Sequence, residues 1–275
     1  MEVGSLAVGV IALAGLFNNA VDCFEYVQLS RSFGTNFQTS LLKLDDARLR
    51  LSRWGEALGL SGNLKDAQSL QEASIQEEDK LKAEDLLSQI LRLFDDAEEK
   101  SAKYTRSAKP DDPNLAILHV QADMDTLGQS LHEKMRRLCI KRQNGTSLRQ
   151  KVKWALFEEK LFNRLIEDII DLVDRLLEAF PAVKQEQFNL CEIEVSEIGL
   201  ETLSALKDIV RAQDKDLQAA ISAATRFDVG TYTTKGIVLV ADPWQAEQCT
   251  HHIQQQQQQN RKPGRIHDYT RGPDF

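Results

Sequence analysis

Seven apolar residues in one stretch, Phe37, Leu41, Leu44, Ala47, Leu51, Trp54 and Leu58, follow one another in steps of three and four. That spacing sets all seven on one stripe of a single helix. Thr35 is a candidate N-cap, and Gly59 and Gly62 sit where such a helix stops. A second series, Ala83, Leu87, Ile90, Phe94, Ala97 and Tyr104, ends before the Lys109-Pro110-Asp111-Asp112-Pro113 breaker. A third, Val120, Met124, Leu127, Leu131, Met135 and Leu138, stops at Asn144-Gly145. A fourth, Leu161, Leu165, Ile169, Leu172, Leu176 and Phe180, halts at Pro181. Shorter helical patterns follow at 188–193 and from about 200 to 224. Stripes this long must be buried against one another, which predicts an all-α, multi-helix bundle. Alternation of the strand kind is slight, and there is no fixed-period repeat.

The 275 residues carry a net charge of −8, and 28% of them are charged. Hydrophobic residues make up 42%, close to the globular average, which excludes wholesale disorder. The acidic balance argues against a nucleic-acid binder. Cys23, Cys139, Cys191 and Cys249 are widely spaced with no CxxC pair, so reduced thiols are expected. The Met-Glu start lacks a basic leader segment, which points to a cytosolic protein.

Texture changes near Phe227. Residues 227–275 hold five acids and five bases, so the negative charge belongs to residues 1–226. This second part contains a β-prone patch at 231–241, a six-glutamine run at 254–259 and a Gly/Pro/Arg-rich end. Few of its apolar residues are periodic, and it reads as a largely disordered, flexible tail. Lys235, Asp242 and Pro243 flank Gly236–Val240 as gatekeepers flank an aggregation-prone strand.

No charge occurs between Val3 and Val21. As a helix this stretch is about 28 Å long at roughly 1.5 Å per residue, against a bilayer core of about 30 Å. Gly4, Gly9, Gly15, Ser5 and Asn18-Asn19 lower its hydrophobicity and permit close helix contact. Two readings stay open on these residues: a buried helix of a bundle, or one that packs at rest and enters lipid when released.

A local break in charge lies between Glu133 and Glu158, where there is no acid. Lys134, Arg136, Arg137, Lys141, Arg142, Arg149, Lys151 and Lys153 fall in this window, interleaved with Leu138, Ile140, Val152, Trp154 and Phe157. It reads either as a face for an anionic leaflet, at about 1 kcal/mol per base, or as a face solvated or paired with the acidic runs Asp95–Glu99 and Glu192–Glu201.

The stretch from Gly15 to Leu29, followed by Arg31 and Phe33-Gly34, resembles the N-terminus of the HeLo domain of filamentous fungi. That family includes the heterokaryon-incompatibility proteins of the HET-s/HET-S kind. Leu51–Ala57, Trp154-Ala155-Leu156 and Ala179-Phe180-Pro181 match the same pattern in order. The resemblance covers about residues 1–226. It implies an all-helical HeLo-type bundle with at most a minor β-hairpin. It also implies a membrane-attacking, pore-forming effector of regulated cell death, cytoplasmic at rest and at the plasma membrane when activated.

By the same resemblance the N-terminal helix leaves the bundle after self-association, when an amyloid-forming tail or an amyloid-bearing relative acts as template. Leu6, Val10, Leu13 and Phe17 would then meet lipid, with Gly9 and Gly15 allowing close packing. Asp22 and Ser32 fall on switch positions of the family. The paired Asn/Gly-rich amyloid repeats of such tails are not visible here. The alternative is a non-toxic helical module that regulates or co-assembles with a toxic relative.

No phosphate-binding loop, dinucleotide fingerprint, HExxH or GxSxG occurs. His119 and His132, thirteen residues apart on one expected helix, lack a metal-ligand spacing, and Cys249 with His251 and His252 makes a weak ligand set. Asp45-Asp46 is expected on an exposed helix face, without the pocket that acid/base chemistry needs. No enzyme, cofactor or metal centre is expected.

Overall fold

The computed structural model describes residues 3–61, 76–109, 111–143 and 152–233, with side chains described over 12–61, 76–109, 111–143 and 152–226. The chain divides into two units, Met1–Phe227 and Asp228–Phe275. The first is an all-α bundle of α1 (Val3–Tyr26), α2 (Phe37–Ala57), α3 (Glu77–Ser107), α4 (Val120–Asp123), α5 (Thr126–Lys141), α6 (Glu159–Ala179), α7 (Lys184–Ile198), α8 (Leu200–Gln213) and α9 (Lys215–Thr233). The backbone of α9 runs to Thr233, into the first residues of the β-prone patch. The rest of the patch and the glutamine run lie outside the described residues.

Helix α2 is the axis. Its expected stripe is buried, yet so is every residue from Leu44 to Gly55, including Asp45, Asp46, Arg48, Arg50 and Arg53. Helices α1, α5, α6, α7 and α8 surround it on all sides. The expectation that Asp45-Asp46 faces solvent is therefore corrected: Asp46 is fully buried and Asp45 is 8% exposed. Gly59 ends the helix at a φ of 72°. Leu60 N–H donates to Gly55 O and Gly59 N–H to Glu56 O, the pattern a left-handed residue permits after a last turn.

The second and fourth stripes become the buried faces of α3 and α6, which pack on each other and close one side of the core. In α3, Ser101 fills the step between Ala97 and Tyr104 and donates to the Ala155 carbonyl, while Tyr104 stacks on Phe157. The third stripe breaks. Met124 and Asp125 are extended, and the Asp125 carboxylate accepts from Gly128 N–H at 2.7 Å, starting a new helix. An aspartate cap interrupts an apolar spacing that would otherwise run straight through. His119 and His132 thus fall on different elements.

The strand content differs from a hairpin. β1 (Val27–Leu29) and β2 (Trp154–Leu156) pair in parallel, with Val27 opposite Trp154 and Leu29 opposite Leu156. β1 leaves α1 directly and leads through a 3₁₀ segment, Arg31–Asn36, into α2, so its partner comes from far along the chain.

Candidate functional site

The site is α1 together with what holds it. Within its described side chains, Leu13, Ala14, Phe17, Asn18, Ala20, Val21, Cys23 and Phe24 are all 4% exposed or less. Eight such positions in twelve leave only a narrow, partly exposed strip through Ala12, Gly15, Asn19 and Asp22, so most of this part of α1 is core. The Phe17 ring lies 6.2 Å from Trp54 of α2, and Phe24 meets Phe94 of α3 edge-on at 4.9 Å. Asn18, buried among them, donates to the Ala14 carbonyl at 2.8 Å. A Cβ on Gly15 would meet nothing within 4 Å, so the resting packing does not require a glycine there. The side chains of Leu6, Gly9 and Val10 lie outside the described residues. Among the described residues no helix is long and apolar enough to cross a membrane.

Charged groups appear on α1 only at its C-terminal end. Gln143 Nε2 donates to the Asp22 carboxylate at 2.5 Å. Glu25 is held by two guanidiniums, Arg48 of α2 and Arg136 of α5, the latter at 3.0 Å. Burial works to raise the Glu25 carboxyl, but Arg48 and Arg136 together outweigh it and hold it below its usual 4.5. Beside them His132 Nδ1 lies 2.7 Å from Asp45. Burial disfavours the imidazolium, yet the hydrogen bond and charge of Asp45 prevail and raise His132 above its usual 6.5.

Immediately after α1 the chain is clasped from two sides. Ser30 N–H donates to Leu156 O, Arg31 N–H to Ala116 O, and Leu118 N–H to Leu29 O. Ser32 Oγ donates to the Phe157 carbonyl at 2.6 Å and shares a 2.8 Å hydrogen bond with Ser30 Oγ. Asp22 and Ser32, the two switch positions implied by resemblance, thus lie on one attachment, the first tied to residue 143 and the second to the strand pair.

A second polar assembly lies next to Trp54. Arg53, 1% exposed, donates to Glu194 of α7 and, at 2.8 Å, to Asp214 at the α8–α9 corner. Arg142 donates to the other Glu194 oxygen at 2.5 Å. Asp214 also accepts from Leu217 N–H, which caps α9. Burial and the neighbouring Asp214 carboxylate push Asp46 well above its usual range despite Arg53 and Arg50. Asp214 itself is held low, because Arg53 outweighs its burial. Two guanidiniums thereby meet two carboxylates in a dry centre that joins α2, α5, α7 and α9.

Four of the six described bases of the basic window pair with acids of the same fold. Lys134 pairs with Glu201, Lys141 with Glu197 and Arg136 with Glu25. Arg142, at 5% exposure beside Glu194, is no part of an outer face, which corrects its place among lipid-facing bases. Its charge is needed inside to balance Glu194. Arg137 and Lys153 are exposed, and Arg149 and Lys151 lie outside the described residues. Among the described residues no group of three or more His, Cys, Asp or Glu side chains is arranged to hold a metal ion. The two polar assemblies escaped the sequence reading. Their members come from α1, α2, α5 and α7 and from the corners at Arg142 and Asp214, and the trace in the sequence was a mixture of both charge signs along α2.

A family model described as prion-inhibition and propagation, HeLo, matches residues 5–209. Heterokaryon incompatibility protein s of Podospora anserina is 35% identical over 233 residues, 84% of this chain and 78% of its own length. Heterokaryon incompatibility protein S of the same organism gives the same figures. The solved structure of the HET-s N-terminal domain superposes with a TM-score of 0.71 at 35% identity, covering 79% of this chain and 98% of that one. A doubly substituted form of that domain gives 0.68. With the family model matching most of the chain and the solved domain sharing both its sequence and its bundle, the chain belongs to the HeLo prion-inhibition and propagation family, alongside the heterokaryon-incompatibility proteins.

Proposed function

We propose that this protein is a membrane-targeting, pore-forming effector of regulated cell death in heterokaryon incompatibility, cytoplasmic at rest and acting at the plasma membrane after self-association. The observation that carries this reading is the division of α1: uncharged from Val3 to Val21, with its charged anchors confined to Asp22 and Glu25 at one end. Withdrawal of such a helix breaks apolar contacts but drags no charge into lipid. Burial of Leu13, Phe17, Val21 and Phe24 holds it at rest by about 10 kcal/mol in total, a sum that acyl chains return on insertion. The described part from Ala12 onward is too short to span a core of about 30 Å, so insertion enlists residues 3–11 as well.

Release starts from the far side of α2 in this reading. A template that orders the tail pulls on α9, whose cap Asp214 holds Arg53, next to the Trp54 against which Phe17 rests. Arg137 and Lys153 supply the leaflet-facing charge, with Lys141 and Arg136 available once their partners open.

Val10→Glu and Leu13→Lys test the reading. Each places a charge near mid-bilayer at about 2.5–3.5 kcal/mol. Leakage of dye from anionic liposomes is expected to vanish for both, with circular dichroism verifying that the bundle still folds. Undiminished leakage by a folded Val10→Glu protein would overturn it.

A further inference from the structure

Two consecutive residues, where α8 turns into α9, grip α2. Gln213 Nε2 donates to the Lys43 carbonyl at 3.0 Å and to the Asp46 carboxyl at 3.2 Å. Asp214, next in the chain, accepts from Arg53 at 2.8 Å. Asp46 and Arg53 are seven residues apart, two turns along one face of α2. A long side chain in a helix leans toward the N-terminus, which brings the Arg53 guanidinium back toward Asp46.

Pairing leaves one acid of this dry centre over. Arg53 is shared by Glu194 and Asp214, and Arg142 is given to Glu194. Arg50, one turn from Asp46, donates to Asp174 of α6 and makes no hydrogen bond to Asp46. Asp46, fully buried, keeps only the Gln213 amide, and its Oδ1 has no hydrogen-bond partner. An unpaired buried anion costs more than a neutral acid with one unmet O–H. The carboxyl therefore holds its proton at rest, in line with its rise above the usual 3.8. Facing it are Arg50 and Arg53 on its own helix, Glu194 of α7 and Asp214 at the corner. The Cys191 thiol, near Arg53, is pushed up by burial and stays neutral.

We propose that the α8–α9 corner is a proton-linked latch: when Asp214 withdraws from Arg53, Asp46 loses its proton to solvent and becomes the carboxylate that neutralises the guanidinium. Closing reverses both steps, so each opening releases one proton. An acid raised in the closed form favours closure at low pH. Opening therefore grows easier as pH rises above the ordinary aspartate range, by at most about tenfold per unit, and levels off above the folded value. The latch belongs to the resting bundle and stands whether or not α1 enters lipid. Its failure and that of the proposed function are separable, because the latch is read without vesicles and leakage with them.

The test is carboxyl-carbon NMR of the full-length protein labelled at aspartate, with Asp46 assigned through its own backbone resonances. At about pH 5, where exposed aspartates are ionised, Asp46 is expected to be protonated. This first reading needs no substitution. Asp214→Asn keeps a side chain able to cap α9 but leaves Arg53 without the corner carboxylate. In that variant the midpoint of Asp46 is expected to fall by about one pH unit or more. The third reading is amide exchange at Leu217, whose N–H donates to Asp214, in the wild type and in Asp46→Asn. Their ratio cancels the intrinsic pH dependence of exchange and is expected to rise with pH, by up to about tenfold per unit. Circular dichroism establishes that both variants are folded. An ionised Asp46 at about pH 5 in the unaltered protein, an unmoved midpoint in Asp214→Asn, or an exchange ratio flat with pH would each overturn the proposal.

Discussion

The ring of Phe17 in α1 rests against the backbone of Gly55 in α2, so closely that a Cβ added there would lie 2.2 Å from the ring carbons. Both residues are buried, so neither can retreat into solvent. The contact makes one hydrogen atom on α2 the condition for α1 to seat.

Gly55→Ala is expected to destabilise the protein by about 1–3 kcal/mol through overpacking. Paired with Phe17→Leu, which shortens the intruding ring, the loss should be smaller than the sum of the two single losses. Chemical denaturation of the four proteins in a double-mutant cycle checks this, and strict additivity would show that the two sites do not touch.

Gly15 offers the opposite case, since a Cβ there meets no atom within 4 Å. Gly15→Ala is expected to stabilise the resting fold by about 0.5–1 kcal/mol, the ordinary helix preference. Under the proposed function liposome leakage should fall, since Gly15 would there serve the close packing of inserted helices. Melting curves and dye release measured on one preparation separate the two effects.

Asp214→Ala removes the partner of a buried guanidinium and the cap of α9 together. About 3–5 kcal/mol of stability is expected to go. Amide exchange should quicken in the first turn of α9 and also in α1, reached through Arg53 and Trp54. Exchange that quickens in α9 alone would disconnect the two ends of the proposed route.

Glu25 and His132 give pH dependences of opposite sign. The folded Glu25 carboxyl lies below its unfolded value near 4.5, so its contribution is present above that pH and is lost as pH falls through the folded value. The stability deficit of Glu25→Gln should therefore be full at pH 7 and shrink in acid. His132 is raised above 6.5 while facing Asp45, Glu133, Glu25 and Arg48, so its contribution is full below 6.5 and is lost as pH rises through the folded value. The advantage of the wild type over His132→Gln should shrink on the alkaline side. Urea titrations at stepped pH measure both.

The apolar stripes of α2, α3 and α6 were legible because a period near 3.6 is written in consecutive residues, and each stripe became a buried face. The fold and family were legible for a different reason, the order of short motifs from Gly15 to Pro181. Asp125 was not: a cap within an apolar spacing looks like one more polar residue on a helix. Asp45 and Asp46 read as part of an exposed face, because periodicity reports which side of a helix is apolar and not how many neighbours enclose it. Arg142 misled in the same way. Its partner Glu194 is fifty-two residues away, a distance no local pattern spans.

The most direct test follows one residue of α1 into the bilayer. Val10→Cys, in a chain with Cys249→Ser, is labelled with an environment-sensitive fluorophore and mixed with anionic liposomes carrying dye and depth-graded lipid quenchers. Dye release accompanied by quenching deep in the acyl region is the result predicted here. Release while the label at position 10 stays unquenched would contradict it, as would no release at all, the behaviour of a non-toxic partner of a toxic relative.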